Sequence, residues 1–223
     1  MRMAPTTQAA PLHASDRLRV KDSLVRSVHR DSPCDYWLLA DVLPERLIEA
    51  MDRLPFPPPR TPLFDGYRDS NNATRVYFTA ENQARYPVCR EVVEIFSDPA
   101  VIAALGERSR TDLSAGRLRI EHCQDVDGFW LKPHIDIPVK LFTLLIYLSD
   151  DPRLADAGTD IYEAGPEHRR VATAPFAKNL GLMFVPGGGL WHGFTQRPIA
   201  GLRKSIIVNY VSSEWRSVDE LAH

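Results

Sequence analysis

The spacing of apolar residues changes period about halfway along the chain. In the first half Leu47, Ile48, Met51 and Leu54 follow Pro44, and Val88, Val92, Val93 and Phe96 form a second stripe. Recurrence at three and four residues puts side chains on one helix face. It predicts helices over 44–54, 81–96 and 99–107, with Pro44 at a first turn, where its missing N–H costs nothing. A short strand is predicted before them at YWLLADVL, 36–43. PFPPPRTP, 55–62, cannot continue a helix and forms a stiff connection. In the following DGYRDSNNATRVYF, DSNN reads as a turn and ATRVYF as a strand. Asn72 and Arg75 there read first as turn chemistry and a solvated strand edge, and second as polar lining of a cleft.

Beyond residue 117 the period becomes two. LRIEHCQ alternates apolar and polar residues, which predicts a half-buried strand over 118–124. Further strands are predicted over 129–133, 141–148, 159–163, 169–174, 181–185, 190–195 and 204–211. Short strands separated by Gly, Pro and Asp describe a sandwich or barrel. Helices first and strands afterwards make the expected fold mainly β with N-terminal helices, an antiparallel jelly roll (double-stranded β-helix) supported by helices from about 43–110. Residues 1–20 have little periodicity and are expected to form a mobile tail, leaving a single domain over 21–223.

Composition narrows the function classes. With 223 residues, 44% hydrophobic and 25% charged, the chain can bury one sizeable core. A net charge of −2 with mixed signs gives no basic stripe, so no nucleic-acid partner is expected. No window approaches a membrane span and the N-terminus has no apolar signal region, which predicts a cytoplasmic protein, monomer or homodimer, with no membrane partner. Cys34, Cys89 and Cys123 are odd in number and far apart, fitting a reducing compartment better than a disulfide framework.

The chemistry concentrates in 128–148, GFWLKPHIDIPVKLFTLLIYL. His134 and Asp136 are two apart, so in an extended segment both side chains point to one face. A third ligand stands downstream at His192, after the turn Pro186-Gly187-Gly188-Gly189. Two imidazoles and one carboxylate are the ligand set of non-haem Fe(II) enzymes that activate oxygen. Zinc sites use the same residue types, and a lone His-x-Asp is common by chance. The strand after His192 separates the two: Arg203 and Ser205 share a face, and a guanidinium with a neighbouring hydroxyl suits the distal carboxylate of a dicarboxylic cosubstrate. Other cleft candidates are Arg75, Arg119, Trp130, Lys140, Phe194 and Asn209. Trp191 is expected to point away from the metal and pack in the core, His122 and His168 to be structural or exposed, and the polar loop 149–158 to form a rim or lid.

In this order, His134-x-Asp136, KLFTLLIYL, Gly158-Thr159-Asp160-Ile161-Tyr162, His192 and Arg203-x-Ser205 closely resemble the Fe(II)- and 2-oxoglutarate-dependent dioxygenases, in the branch similar to prolyl 4-hydroxylase catalytic domains. The likeness covers roughly 118–211, and 36–55 resembles the opening of small bacterial members. It implies that His134, Asp136 and His192 ligate Fe(II) and that Arg203 pairs with the distal carboxylate of 2-oxoglutarate. It implies that Tyr147 sets its hydroxyl against the same carboxylate and that Gln124 contacts the cosubstrate. Gly158-Thr159 departs from the commoner Gly-Gly-x-Leu. The implied reaction consumes O2 and 2-oxoglutarate, releases succinate and CO2, and hydroxylates an unactivated C–H bond; Asp136 speaks against halogenation, for which relatives replace it by a small residue. A small molecule, such as an amino acid derivative or biosynthetic intermediate, is the first choice of substrate. A protein or nucleic-acid substrate, and a non-enzymatic metal-containing jelly-roll binding module, are the alternatives.

Overall fold

Proline placement decides where the helical half of the chain breaks. The computed structural model describes residues 14–59, 65–67 and 75–223. The first elements are α1 (Ala14–Arg26), β1 (Val28–Arg30), β2 (Tyr36–Ala40), α2 (Glu45–Asp52), β3 (Val76–Tyr77), α3 (Ala80–Arg85), α4 (Pro87–Phe96) and α5 (Pro99–Ser109). The expected helix over 81–96 is two helices. Tyr86 precedes a proline and is extended, at φ −126° and ψ 103°, because the Pro87 ring excludes the helical region for its predecessor. The side chains of Thr79 and Asp98 cap α3 and α5 by accepting the free N–H groups of their first turns.

Two further expectations are corrected at the N-terminus and at 118–124. The tail expected over 1–20 is a helix from Ala14 on, residues 1–13 lying outside the described residues: α1 buries Asp16, Val20 and Leu24, and Arg46 of α2 pairs with Asp16. The turn DSNN and Asn72 lie outside the described residues. The strand over 118–124 is not half-buried. In β4 (Arg117–Asp125) every residue from Leu118 on is buried, because Tyr77, Trp215 and Glu220 close over Arg119 on one face and Phe56 meets His122 and Gln124 on the other.

The remaining strands are β5 (Leu131–His134), β6 (Lys140–Tyr147), β7 (Asp160–Tyr162), β8 (Arg170–Thr173), β9 (Leu180–Phe184), β10 (Trp191–Phe194) and β11 (Arg203–Val211). They form a seven-stranded sheet in the order β1-β2-β9-β6-β11-β4-β3 and a four-stranded sheet β5-β10-β7-β8. The strand pairs are antiparallel, and the two facing sheets make the expected jelly-roll core. Strand alternation sorts the large sheet into two faces. Ile120, Leu144, Ile146, Ile206 and Val208 pack with α2, α4 and α5 through Met51, Val92, Val93, Phe96 and Leu105. Cys123, Leu145 and Ile207 point the other way and meet Ile161, Leu182 and Phe184 between the sheets. Asp160 closes one end of the small sheet, accepting from the Thr195 N–H at 2.7 Å, Arg197 at 2.6 Å and Thr173 at 2.7 Å. No described helix is long and apolar enough to cross a membrane.

His122 lies on the helix-facing side of β4, 1% exposed, with the Phe56 ring edge-on at 5.3 Å. Burial, and then the nearby Lys204 ammonium, hold its pKa down to about 4. In the unfolded chain the same ring titrates near 6.5. Between these values the unfolded state takes up a proton that the folded state refuses, so stability is lost as the pH is lowered through this window, by about 1.4 kcal/mol per unit. Lowering the pH from 7 to 5 should therefore cost about 2 kcal/mol in urea unfolding. His122→Leu should flatten that slope, and an unchanged slope in the variant would assign the acid sensitivity elsewhere.

Candidate metal centre and adjoining cavity

Antiparallel register brings the first and last ligands together. His134 ends β5, and its partner directly across on β10 is His192; the two ring centroids stand 4.3 Å apart. Asp136 follows two residues beyond the strand end. Ile135 and Ile137 are 46% and 53% exposed, so alternation turns His134 and Asp136 inward on the same side. One ligand atom from each of His134, Asp136 and His192 can be chosen so that all lie within 4.8 Å of one another. Small side-chain rotations close such a span to the roughly 3 Å that separates neighbouring ligands on one ion. Gly193 lets the strands approach, since a Cβ there would stand 2.6 Å from the Leu131 carbonyl oxygen.

The donor set fits a divalent metal. His134 Nδ1 lies 2.9 Å from the Lys132 carbonyl and His192 Nδ1 3.1 Å from the Leu190 carbonyl. A carbonyl only accepts, so each Nδ1 carries a proton, which makes Nε2 the lone-pair atom of the neutral ring. Burial, and then the neighbouring His134, hold the His192 pKa down to about 3, which keeps that imidazole neutral, the form that binds metal. Asp136 is 5% exposed. Its Oδ1 accepts from Lys140 Nζ at 2.8 Å and its Oδ2 from Thr143 Oγ1 at 2.9 Å.

A cavity opens beside the triad, lined by Arg75, Asp125, Thr159, Arg203 and Ser205 and by the apolar Phe129, Leu145, Phe194 and Ile207. Arg203 starts β11 and is buried. Its Nε donates to the Ala157 carbonyl at 2.6 Å, its Nη1 to Asp125 Oδ2 at 2.5 Å, and its Nη2 lies 3.5 Å from Thr159 Oγ1. A guanidinium has five N–H groups, so the contacts among the described residues leave donors for a ligand. Ser205 follows on the same face and is buried. The expected pairing of Arg203 and Ser205 on one wall is therefore present.

Tyr147 lies below this wall, with the Arg203 guanidinium carbon 5.8 Å from its ring centroid. Its hydroxyl is engaged by Thr159, donating to Oγ1 at 3.0 Å and accepting from the backbone N–H at 3.2 Å. Thr159, rather than Tyr147, presents a hydroxyl to the cavity. Gln124 is a correction. It sits one residue out of phase with Cys123 and Asp125, faces the helix layer and donates to the Phe56 carbonyl at 2.9 Å, so a contact with a ligand in the cavity is ruled out by strand alternation.

The other candidates divide. Arg75 and Phe194 line the cavity, and Arg75 Nη1 stands 3.6 Å from Asp125 Oδ1, so the solvated-edge reading of Arg75 gives way to a buried ion pair. Lys140 holds Asp136, and Arg119 and Asn209 are buried behind it. Trp130 packs against Gly66, where a Cβ would stand 2.5 Å from the indole. Trp191 does turn from the metal, but it is half-buried and lies with its ring 4.0 Å from that of His168, not in the core. The loop 149–158 is packed floor as much as rim: Leu154 and Ala157 are buried and Ala157 supplies the carbonyl that Arg203 grips. Gly158 is required there, since a Cβ would fall 1.7 Å from the Ala174 carbonyl oxygen. Asp125 and Thr143 were not singled out from sequence, and Thr159 stood out there only as a departure from Gly-Gly-x-Leu. The signal was available in the period of two, which carries the Cys123 face on to Asp125 and the Tyr147 face back to Thr143.

No protein-family model matches the chain, and no curated protein matches it by sequence. Its structure is similar to a Pseudomonas putida prolyl-4-hydroxylase at a TM-score of 0.54 and 14% identity, covering 88% of this chain and 98% of that one. A structure of prolyl 4-hydroxylases from Phytophthora capsici gives a TM-score of 0.57 at 14% identity, covering 94% of this chain and 70% of that one. SnoN, a non-heme alpha ketoglutarate dependent epimerase from nogalamycin biosynthesis, gives 0.51 at 15% identity, covering 88% and 83%. These likenesses establish the shared fold.

Removing a ring nitrogen from the triad tests the centre directly. His134→Ala and His192→Ala should each abolish tight Co(II) binding measured by calorimetry, with the circular dichroism spectrum of the folded chain retained. Binding in both variants equal to the unsubstituted protein would remove the metal centre from these residues.

Proposed function

We propose that the chain is an Fe(II)- and 2-oxoglutarate-dependent dioxygenase that hydroxylates an unactivated C–H bond of a small molecule. The observation that carries this reading is the convergence of His134, Asp136 and His192 at one end of a buried cavity that has Arg203 in its wall. A ferrous ion held by the three ligands would supply O2 activation coupled to oxidative decarboxylation of 2-oxoglutarate to succinate and CO2. The chain's own residues bind and orient. Two imidazoles and one carboxylate leave positions open for exogenous ligands. Arg203, fixed by Ala157 and Asp125, offers its remaining N–H groups to the distal carboxylate, with the Thr159 and Ser205 hydroxyls beside it. Phe129, Leu145, Phe194 and Ile207 keep water from the space between.

The enclosed, mixed apolar and polar cavity favours a small molecule, of the class of amino acid derivatives or biosynthetic intermediates. One observation favours a second reading, an oxygenase acting on a polypeptide: the exposed Ile135 and Ile137 flank Asp136 on the outer surface. Succinate release stimulated only by macromolecules would select it, whereas 2-oxoglutarate-dependent mass gains of one oxygen in a metabolite extract would select the first. Metal-dependent stability without any oxygen uptake would select a non-enzymatic binding module.

Anaerobic addition of Fe(II) and 2-oxoglutarate should produce a visible charge-transfer band, and its absence from folded, metal-loaded protein would overturn the proposal. Arg203→Met removes one partner of a buried charged contact and should weaken 2-oxoglutarate binding roughly 100-fold by titration of that band. Asp125→Asn keeps an acceptor for Nη1 but deletes the carboxylate that competes for the guanidinium. It should tighten binding roughly tenfold, and weaker binding would mean that the Asp125 charge is needed to aim Arg203.

A further inference from the structure

Asp136 differs from the two imidazoles in how it is held. It lies past the end of β5, outside the strand ladder, so its direction depends on side chains. Thr143 Oγ1, at 2.9 Å from Asp136 Oδ2, also lies 2.9 Å from Asn209 Nδ2. An amide nitrogen only donates, so the threonine hydroxyl accepts from Asn209 and must spend its single proton on Asp136. Asn209 is equally fixed. Its Oδ1 accepts from Arg119 Nη1 at 3.1 Å, and its Nδ2 also donates to the Phe142 carbonyl at 3.2 Å. Arginine has no acceptor, so the amide cannot be reversed.

The three residues are register partners on adjacent strands, Arg119 opposite Asn209 between β4 and β11 and Asn209 opposite Thr143 between β11 and β6. They are 2%, 0% and 2% exposed. At the far end Glu121 takes Arg119 at 3.0 and 3.3 Å, Glu220 takes its Nε at 2.6 Å, and the Tyr77 and Trp215 rings cover it at 4.7 and 4.9 Å. Apolar residues of similar size commonly replace such buried charges without loss of stability, so stability alone does not account for this row.

We propose that Arg119, Asn209 and Thr143 form a one-way hydrogen-bond chain whose output is the orientation and donor strength of Asp136 as a metal ligand. They are positioning residues, and the inference rests on the metal-centre reading above. Every hydrogen bond in the row points toward the carboxylate, so each donor polarises the next. Losing such an outer partner typically costs 10–100-fold in metal affinity.

The test measures Co(II) affinity by calorimetry and the Co(II) ligand-field absorption of the full chain. Thr143→Val should weaken binding at least about tenfold and shift the absorption, and Thr143→Ser should restore both. Asn209→Leu should move both readouts the same way by less, and T143V/N209L should bind no more weakly than T143V, because the last link is already cut. A destabilised but otherwise passive site would lower the melting temperature without moving the spectrum. Equal affinity and spectra in T143V and T143S, or additive losses in the double variant, would overturn the proposal. Should T143V not fold, T143A and N209L carry the same comparison with T143S. If the unsubstituted protein binds Co(II) no better than His134→Ala, the metal-centre reading itself has failed; if it binds and only the Thr143 comparison is flat, this inference alone has failed.

Discussion

Antiparallel pairing of β5 with β10, in the register that sets His192 opposite His134, is the constraint from which the site follows. A slip of one residue would turn every side chain of β10 to the other face and carry His192 away from its partner. Several features act against such a slip. Gly193 lets β10 press against the β5 backbone, where any side chain would collide. Asp160, opposite Gly193 on β7, binds the Thr195 backbone and the Arg197 side chain just beyond β10. The small sheet is therefore locked from both neighbours of the histidine strand.

The large sheet supplies the opposite wall, and it does so by burying charge on an interior face. Arg119, Glu121, Asp125 and Arg203 are all at most 5% exposed. Unpaired, each would cost several kcal/mol to desolvate; here each has a partner of opposite sign within hydrogen-bond reach. Such clusters add little net stability but hold geometry, because any rearrangement strands a charge. The result is a rigid polar wall facing two imidazoles whose tautomers are set by backbone carbonyls.

Much of this was legible in the sequence. Strand positions from 129 onward, the jelly-roll arrangement, the three candidate ligands and the wall formed by Arg203 and Ser205 follow from a period of two and from residue chemistry. A polar residue in an alternating strand reads as solvent-facing, yet Arg119 and Glu121 are buried because Tyr77 and the C-terminal residues Trp215 and Glu220 close over Arg119, and that covering is a tertiary fact. Gln124 was given its role by the family resemblance, whereas its face is set by its phase relative to Cys123. Arg75 read as a strand edge because its counter-ion, Asp125, is distant in sequence. Pro87 was a local signal, and the residue before it breaks the helical stripe as its chemistry requires.

The two ends of the cavity obey different rules, and this bears on what fits between them. Near the triad the donors are two imidazoles and a carboxylate already holding two hydrogen bonds, a setting that welcomes a cation and its chelating ligand. At the other end a guanidinium is aimed by a carbonyl and a carboxylate, a setting that welcomes an anion. Leu145 and Ile207 lie between, offering no hydrogen bonds to a polar middle. A ligand satisfying all three zones is short, chelates at one end, carries a carboxylate at the other, and joins them by methylene groups. A five-carbon 2-oxo diacid has that form, whereas a zinc hydrolase acting through water alone would leave the far guanidinium without a task.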